Sequence, residues 1–356
     1  MANTPCQNGP RSRRRGAILI LVLFVMVILS LLAVSFTYRA GLFRRTVLER
    51  VTMLRLRHHA ASAAAIAMAR LAAESNDFDH PAEPWRLHAP LPEDNWLADW
   101  NTDAAGRAAE YVTDYQVLDE EGKFNVLTAS SEALRKLGMK EDQIACLFDW
   151  MDSDDVVRSE GAESAYYQAL PRPHRCKNAP LESLEELLMV RGFAPGDYWG
   201  EDDDHDGQLD PCENDGPATA PADNADGVLQ PGWVDLLTCQ GDGRINLNTA
   251  PQSVLRTLPV TGQAVDQIIG YRQFDAGGDE DLESHAFRDP NDIRQLQGLT
   301  AADKDVLCLR GRFTSEHFRI FVCSRHPRTA LQCRLEVLVK ARKNARPEVL
   351  QWKFGS

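Results

Sequence analysis

Residues 202–213 read DDDHDGQLDPCE, and their spacing is that of a calcium-binding loop. Asp202, Asp204 and Asp206 fall at the first three ligand positions, spaced two apart. Gly207 supplies the sharp turn after them, and Gln208 offers its main-chain carbonyl. Asp210 serves directly or through a water, and Glu213 closes the loop with both oxygens. Six carboxylates in so short a stretch, five of them at ligand positions, repel one another until a hard cation neutralises them. Ca2+ accepts roughly six to eight oxygens in a flexible cage and suits this loop better than Mg2+. The flanking helices of an EF-hand are not evident, so the expectation is a calcium loop alone. Its ion would order a segment rich in Pro, Gly and Asp that has few apolar residues to bury.

Two other acidic stretches are weaker candidates. NADGVLQP (224–231) echoes DHDGQLDP (204–211), so Asp223, Asn224 and Asp226 could contribute to a second ion, but no carboxylate closes that loop. DWMDSDDVVRSEGAES begins at residue 149 and offers Asp149, Asp152, Asp154, Glu160 and Glu163. Their spacing matches no general metal loop, and helix caps in a solvated turn are the competing reading. Catalytic signatures are missing: the chain has no Gly-x-Ser-x-Gly, His-Glu-x-x-His, phosphate loop or dinucleotide loop. His174, His285, His317 and His326 have no partners at metal-ligand spacing, so no enzymatic activity is expected.

The elements that must position these residues begin with RRRGAILILVLFVMVILSLLAVSF (13–36), which carries no charge after Arg15. At about 1.5 Å per residue a helix of that length spans a bilayer core. Helical spacing continues to about residue 75 and turns amphipathic. A Pro- and Trp-rich loop comes next. EYVTDYQVLDEEGKFNV then alternates like strands with a turn at Glu121-Gly122. From Thr128 to about Leu309 the pattern is mostly helical, and Leu181 to Val190 reads as a core helix. FTSEHFRIFVCSR, ALQCRLEVLVKAR and EVLQWKF are again strand-like. A sheet interrupted by a helical insertion explains this order better than two successive domains, because the last strands need partners.

The insertion holds a repeat. Residues 122–151 align without a gap onto 243–272, sharing Gly, Asn, Thr, Ala, Leu and Arg at matching positions. Each unit reads as Asn-x-x-Thr, a helix, a short turn and a second helix, with the threonine expected to cap the first helix. The units resemble the helix-hairpin-helix of DNA-binding proteins. Those hairpins present backbone N–H groups to a phosphate from a Gly-x-Gly turn, whereas the turns here hold at most one glycine. The net charge of −13 also opposes phosphate binding. A packing role is the expectation, and a membrane-anchored DNA-uptake receptor is the alternative.

Of eight cysteines, seven lie beyond the leader and anchor. In an oxidising compartment some should pair. Cys323 with Cys333, flanking a turn between two strand-like runs, and Cys212 with Cys239, flanking the acidic segment, are the candidate bridges.

The Arg-rich start, Gly16 before the apolar run and the unbroken helix after it resemble the class III leader of type IV pilins and type II secretion pseudopilins. By that resemblance a prepilin peptidase cuts between Gly16 and Ala17. Most members carry glutamate at the fifth mature position, where this chain has Leu21. That substitution, the interrupted sheet, INLNTAP and DWMDSDD resemble the K-type minor pseudopilins. The acidic run from Asp149 also resembles theirs, in an inserted domain where calcium is found. The implied fold is α+β and type IV pilin-like, with a long N-terminal transmembrane helix packed on an antiparallel sheet and a large helical domain inserted between sheet strands. The expected divisions are leader 1–16, transmembrane helix 17–38, pilin-like helix and first strands 39–119, inserted helical domain 120–311 and closing strands 312–356. The implied role is at the pseudopilus tip, with H-, I- and J-type minor pseudopilins, the major pseudopilin and the inner-membrane secretion platform as partners and no nucleic acid. The single-pass anchor would sit in the inner membrane with the body in the periplasm.

Coexpression with a prepilin peptidase should yield a mature chain that begins at Ala17 by N-terminal mass analysis. A chain still starting at Met1, or one starting after Ser35, would contradict the leader.

Overall fold

The computed structural model describes residues 14–73, 77–83, 85, 111–202, 205, 209–218, 223–272, 285–329, 331–342 and 345–355, without the side chains of 14–17 and Cys212. The first helix, α1, runs from Arg14 to Ala73. It is the one helix among the described residues long and apolar enough to cross a membrane. Residues 18–36 are exposed along it, Leu21 at 61%. Side chains apolar on every face have no preferred side to bury in water, which suits hydrocarbon and not a soluble core. The chain divides after Arg55 into two compact units, the second beginning at Leu56.

The strands of the second unit are β1 (Val112–Asp119), β2 (Phe124–Asn125), β3 (Leu237–Thr238), β4 (Ile245–Asn246), β5 (Gly311–Arg312), β6 (His317–His326), β7 (Leu331–Arg342) and β8 (Ala345–Gly355). Four of them form an antiparallel sheet in the order β1-β6-β7-β8. Alternation along the strands sorts the two faces. Val117, Phe318, Ile320, Val322, Leu335, Val337 and Val339 point to one face and pack on Ala60, Ala63, Ala64, Ala67 and Leu71 of α1. The four alanines are fully buried, so the helix backbone lies close to the sheet.

The insertion enters after β1 and returns at β6, although those strands are hydrogen-bonded neighbours with Asp119 opposite Phe318. It therefore occupies the second face of the sheet. Phe321, on that face, packs against a separate core that includes Leu134, Leu147, Trp150, Tyr167, Leu237, Leu247 and Ile268.

The repeat in the sequence is a repeat in structure. One unit runs β2, an asparagine turn, α2 (Ser131–Lys136) and α3 (Glu141–Met151). The other runs β4, a second asparagine turn, α4 (Gln252–Leu255) and α5 (Gly262–Arg272). In each, the asparagine side chain accepts the N–H two residues on: Leu127 to Asn125 at 2.9 Å and Asn248 to Asn246 at 3.0 Å. Each opening strand also pairs in parallel with a two-residue strand, β2 with β3 and β4 with β5. The expected threonine caps are not what the structure uses. Thr128 donates to the Asn125 carbonyl, Thr249 donates to Asp119, and Ser130 caps α2. The asparagine wins because its short amide reaches its own downstream backbone and closes the turn locally.

The shared glycine and threonine have a reciprocal use. A Cβ on Gly122 would lie 2.6 Å from Thr249 Oγ1, and one on Gly243 would lie 2.8 Å from Thr128 Oγ1. The glycine of each unit therefore makes room for the threonine of the other. Gly243 also sits at φ +85°, a conformation that favours glycine on its own account.

Two further expectations are corrected. Residues 181–190 do not form a core α-helix. Leu184–Met189 is a tighter 3-10 turn capped by Ser183, with Leu184 and Leu187 buried. Cys323 and Cys333 are not bridged across the strands. Cys323 stands opposite Arg334 and Cys333 opposite Ser324, so the one-residue offset sends the two thiols to opposite faces.

Candidate cation sites and the sheet–insertion junction

The predicted calcium loop is described in part. Asp204, Asp206 and Gln208 lie outside the described residues. Asp202 and Glu213 are buried, at 6% and 2% exposure, and neighbouring Glu201 is buried with them. Glu213 Oε2 accepts the Asp210 N–H at 3.0 Å across the 3-10 turn Pro211–Glu213. Buried carboxylates are the donors a hard cation takes, but the described members of this loop do not by themselves form a group whose oxygens could share an ion.

His205, inside the loop, docks it onto the sheet. Its ring stacks on Phe321 at 4.1 Å, Nδ1 pairs with Asp235 Oδ1 at 2.8 Å, and its carbonyl accepts Gln116 Nε2 at 2.8 Å. Gln116 and Phe321 are directly opposite each other on β1 and β6. His205 has φ 60°, so this docking holds a non-glycine residue in the left-handed region.

The second stretch, Asp223, Asn224 and Asp226, builds turns. Asp223 accepts N–H groups from Asp215, Gly216 and Ala225. Asn224 accepts from Asp226, and Asp226 from Val228, both at 2.8 Å. Glu201 fastens this stretch by accepting the N–H groups of Asn224 and Gln230.

From the third stretch the structure brings together Asp149, Asp152 and Glu163, one oxygen of each lying within 4.8 Å of the others. Asp154 and Glu160 are exposed and outside that group. Asp154 Oδ1 instead accepts the Val156 N–H at 2.8 Å. Of the second cysteine pair, Cys212 has no described side chain. Cys239 is half-buried against the insertion core, and burial pushes its thiol up to about 12.

Sequence reasoning missed the most elaborate polar site, at the turn after β1. Glu120 is fully buried and bound by three elements. Lys123 Nζ reaches its Oε1 at 2.7 Å, Arg319 Nε on β6 reaches the same oxygen at 2.8 Å, and Thr238 on β3 donates to Oε2 at 2.6 Å. Arg319 also pairs with Glu336 on β7. Lys123 donates to the Val234 carbonyl at 2.8 Å. Burial alone would raise the Glu120 carboxyl, but Arg319 and Lys123 hold it well below the usual carboxylate range.

Its neighbours complete the junction. Glu121 pairs with His317 at 2.8 Å and with Arg312 at 3.3 Å. Asp119 Oδ2 accepts from Asn246 Nδ2 at 2.9 Å, Thr249 Oγ1 at 2.5 Å and Ser315 Oγ at 2.7 Å. The signal available in the sequence was Asp119-Glu120-Glu121, three consecutive acids at the end of an alternating strand. Apart from Lys123, nothing local marked their partners, and Thr238 and Arg319 come from more than a hundred residues away.

Asp119 differs from Glu120 in sign. Burial and the Glu121 charge push its carboxyl up to about 6, against the hydrogen bonds from Thr249 and Ser315. A raised folded value means stability that is full below the unfolded value of 3.8 and lost as pH rises through about 6. Glu120, held low, contributes stability above the unfolded 4.5 that is lost only as pH falls through its folded value. Between pH 5 and 7.5 only Asp119 of this pair therefore changes. Its ionisation should cost about 1 kcal/mol over that window. Urea denaturation of wild type and Asp119→Asn at both pH values should show that much less loss in the variant. Equal losses would refute the assignment.

Comparison with known proteins gives three similarities. Residues 112–199 match the family described as "Type II secretion system (T2SS), protein K". The chain is 27% identical over 204 residues to the type II secretion system protein K of Pectobacterium carotovorum subsp. carotovorum, covering 51% of this chain and 60% of that protein's length. Its fold is similar to a chain in the crystal structure of the GspK–GspI–GspJ complex from the enterotoxigenic Escherichia coli type 2 secretion system. That match has a TM-score of 0.52 and 17% identity, and covers 88% of this chain and 99% of that one.

Proposed function

We propose that this chain, which belongs with the protein K pseudopilins of type II secretion through its residues 112–199, is the minor pseudopilin at the tip of the secretion pseudopilus. The observation that carries the reading is the insertion between hydrogen-bonded sheet neighbours β1 and β6, in a chain that begins with a long apolar helix. An insertion of that bulk does not repeat at every step of a closely packed fibre, but it can sit at its end. Leu21 supports the same place. A glutamate at that point in lipid is costly unless it meets a neighbour's N-terminal amine. A capping subunit has no such neighbour to meet.

In this role the chain is anchored in the inner membrane by its single helix, with the body in the periplasm. It is processed by the prepilin peptidase and joins I-, J- and H-type minor pseudopilins. With them it starts polymerisation of the major pseudopilin over the inner-membrane platform and supports export of folded proteins across the outer membrane. Its part is structural and not catalytic. Coexpressed with I- and J-type partners, the full chain should purify as a 1:1:1 complex. Overexpressed in cells with the secretion machinery, it should shorten pseudopili. Long fibres built mainly of this chain would overturn the reading. So would tight DNA binding in a gel shift at low salt, which would favour the uptake receptor.

Calcium belongs to this reading as a stabiliser of the 202–213 loop through Asp202, Asp204, Asp206, the Gln208 carbonyl, Asp210 and Glu213. A ligand bound only by the folded state at a hundredfold excess over its Kd adds about 2.7 kcal/mol. Thermal unfolding with calcium and with chelator should differ, and Glu213→Gln should reduce the difference. An identical shift in that variant would remove the loop from the account.

A further inference from the structure

We propose that Arg39, Arg44 and Arg45 form a basic ring around α1, just past its membrane span, that binds the phosphate groups of anionic phospholipids. The inference rests on α1 crossing the bilayer and is independent of the tip assignment. It arises from where the arginines begin and from how they are spread around the helix.

The uncharged run of α1 ends at Phe36, twenty residues after Gly16. At about 1.5 Å per residue it fills a hydrocarbon core of about 30 Å. The headgroup layer beyond the core is roughly 5–8 Å deep. Arg39 stands about 5 Å past Phe36 along the helix, inside that layer. Arg44 and Arg45 stand about 12–14 Å past it, within a Debye length of the layer, and their side chains are long enough to reach back toward it.

The neighbouring side chains fit a membrane–water boundary at this level. Tyr38 directly precedes the first arginine and is exposed, and tyrosine is enriched among lipid headgroups. The threonine hydroxyls of the segment turn back into the helix. Thr37 donates to the Ala33 carbonyl at 2.8 Å, and Thr46 donates to the Leu42 carbonyl at 3.1 Å. The guanidinium groups are left as the strong donors that face outward.

The distribution around the helix selects the partner. Successive residues of an α-helix are about 100° apart, so Arg44 lies about 140° and Arg45 about 240° around the axis from Arg39. The three charges therefore point in three directions. Leu42, Phe43, Val47 and Leu48 are exposed between and beyond them. A protein neighbour covers one face of a helix, and basic residues meant for it share that face. A headgroup layer surrounds the helix on every side, which is what a ring of charge fits. Glu49 is the one acid among residues 36–50 and pairs with Arg45 at 3.0 Å. Both side chains of that pair are exposed, so it is weak and yields to a phosphate.

The residue type fits the same ligand. Arginine meets two phosphate oxygens with its planar fork and is more weakly hydrated than an ammonium group. The attraction is also local to the anchor, because residues 1–50 hold eight arginines and one acid in a chain of net charge −13. In the orientation of the proposed function the ring lies on the exported side, against the usual bias of basic residues toward the cytoplasm. It is therefore not there to orient the span. Its effect is to set the depth of α1. Sliding the helix inward would carry guanidinium groups into hydrocarbon, and sliding it outward would part them from the phosphates.

The test uses the full chain reconstituted in phosphatidylcholine vesicles with spin-labelled phosphatidylglycerol or spin-labelled phosphatidylcholine as the probe. One arginine near an anionic surface is worth roughly a fivefold preference. At low salt the immobilised fraction should therefore favour phosphatidylglycerol by at least that factor. The preference should fall toward parity in about 1 M NaCl, where the Debye length is about 3 Å. Arg39→Gln, Arg44→Gln and Arg45→Gln combined should abolish it, whereas lysine at the same three positions should keep most of it. An alkaline carbonate wash should leave every variant in the vesicles, because the span is untouched. A chain stripped by the wash would overturn the spanning reading itself, and the wash reports that separately from the lipid preference. The ring is overturned if anchored wild type shows no preference, the result expected of arginines that serve an acidic protein face. It is equally overturned if the glutamine variant keeps the preference, or if the wild-type preference is indifferent to salt.

Discussion

The Glu120 carboxylate is the point through which sheet and insertion hold each other. An ion taken fully out of water costs several kcal/mol, and the cost is offset only by close partners in good geometry. Glu120 meets that condition with Lys123 from its own turn, Arg319 from β6 and Thr238 from β3. Those groups belong to the connection out of the sheet, the sheet itself and the far side of the insertion. Removing any one leaves the others buried with a charge or a donor unanswered. The insertion is thus fixed to the sheet by a charge that is satisfied only when both are folded.

The two hairpin units set the second constraint. Each presents a glycine where the other presents a threonine, and each opens with an asparagine that closes its own turn. Such mutual use is what a two-fold interface between identical units would show, here within one chain. Asp119 ties the pair to the sheet, because its carboxylate accepts from Asn246 and Thr249 of the second unit while its own strand ends in the sheet. Spreading the repeat's identical glycines, asparagines and threonines over these contacts explains their identity without a phosphate to bind. The helices of both units contribute to one apolar core, with Leu134 and Leu147 from one and Val254 and Ile268 from the other.

How much of this was legible depends on the range of each interaction. Alternation of β-branched and aromatic residues marked β1, β6, β7 and β8, because period-two burial is written locally. The interruption between β1 and β6 was legible too, since strands at both ends of a helical block need one another. Register was not legible: the Cys323 and Cys333 spacing fits a hairpin, but a one-residue offset, set by the whole β6–β7 ladder, sends them to opposite faces. The threonine caps failed for a nearer reason, because asparagine competes for the same turn at shorter reach. Leu181 to Val190 had helical spacing, yet the segment is the short 3-10 turn Leu184–Met189, opened by a Ser183–Glu186 capping box. Of the acidic stretches, loop spacing pointed to 202–213, whereas the cluster of Asp149, Asp152 and Glu163 depends on Gly161 folding the chain back over α3, which no spacing rule encodes.

The acidic loop and the sheet are linked more closely than composition implies. A stretch of Asp, Gly and Pro has little apolar surface to bury and would ordinarily remain outside a core. Here His205 supplies the missing contact. Its ring lies on Phe321, which itself touches the insertion core, and its carbonyl is held by Gln116 from the neighbouring strand. Asp235, at the start of the helix leading into β3, fixes the ring from the other side. His205 is therefore held from the sheet and from the segment leading into β3 together. Glu120 is clasped from β6 and β3, through Arg319 and Thr238. The contacts of His205 and of Glu120 are different, but β6 contributes to both, through Phe321 and through Arg319. A cation bound as proposed by the loop would add to this hold, because His205 passes its order to the sheet through Phe321 and Gln116.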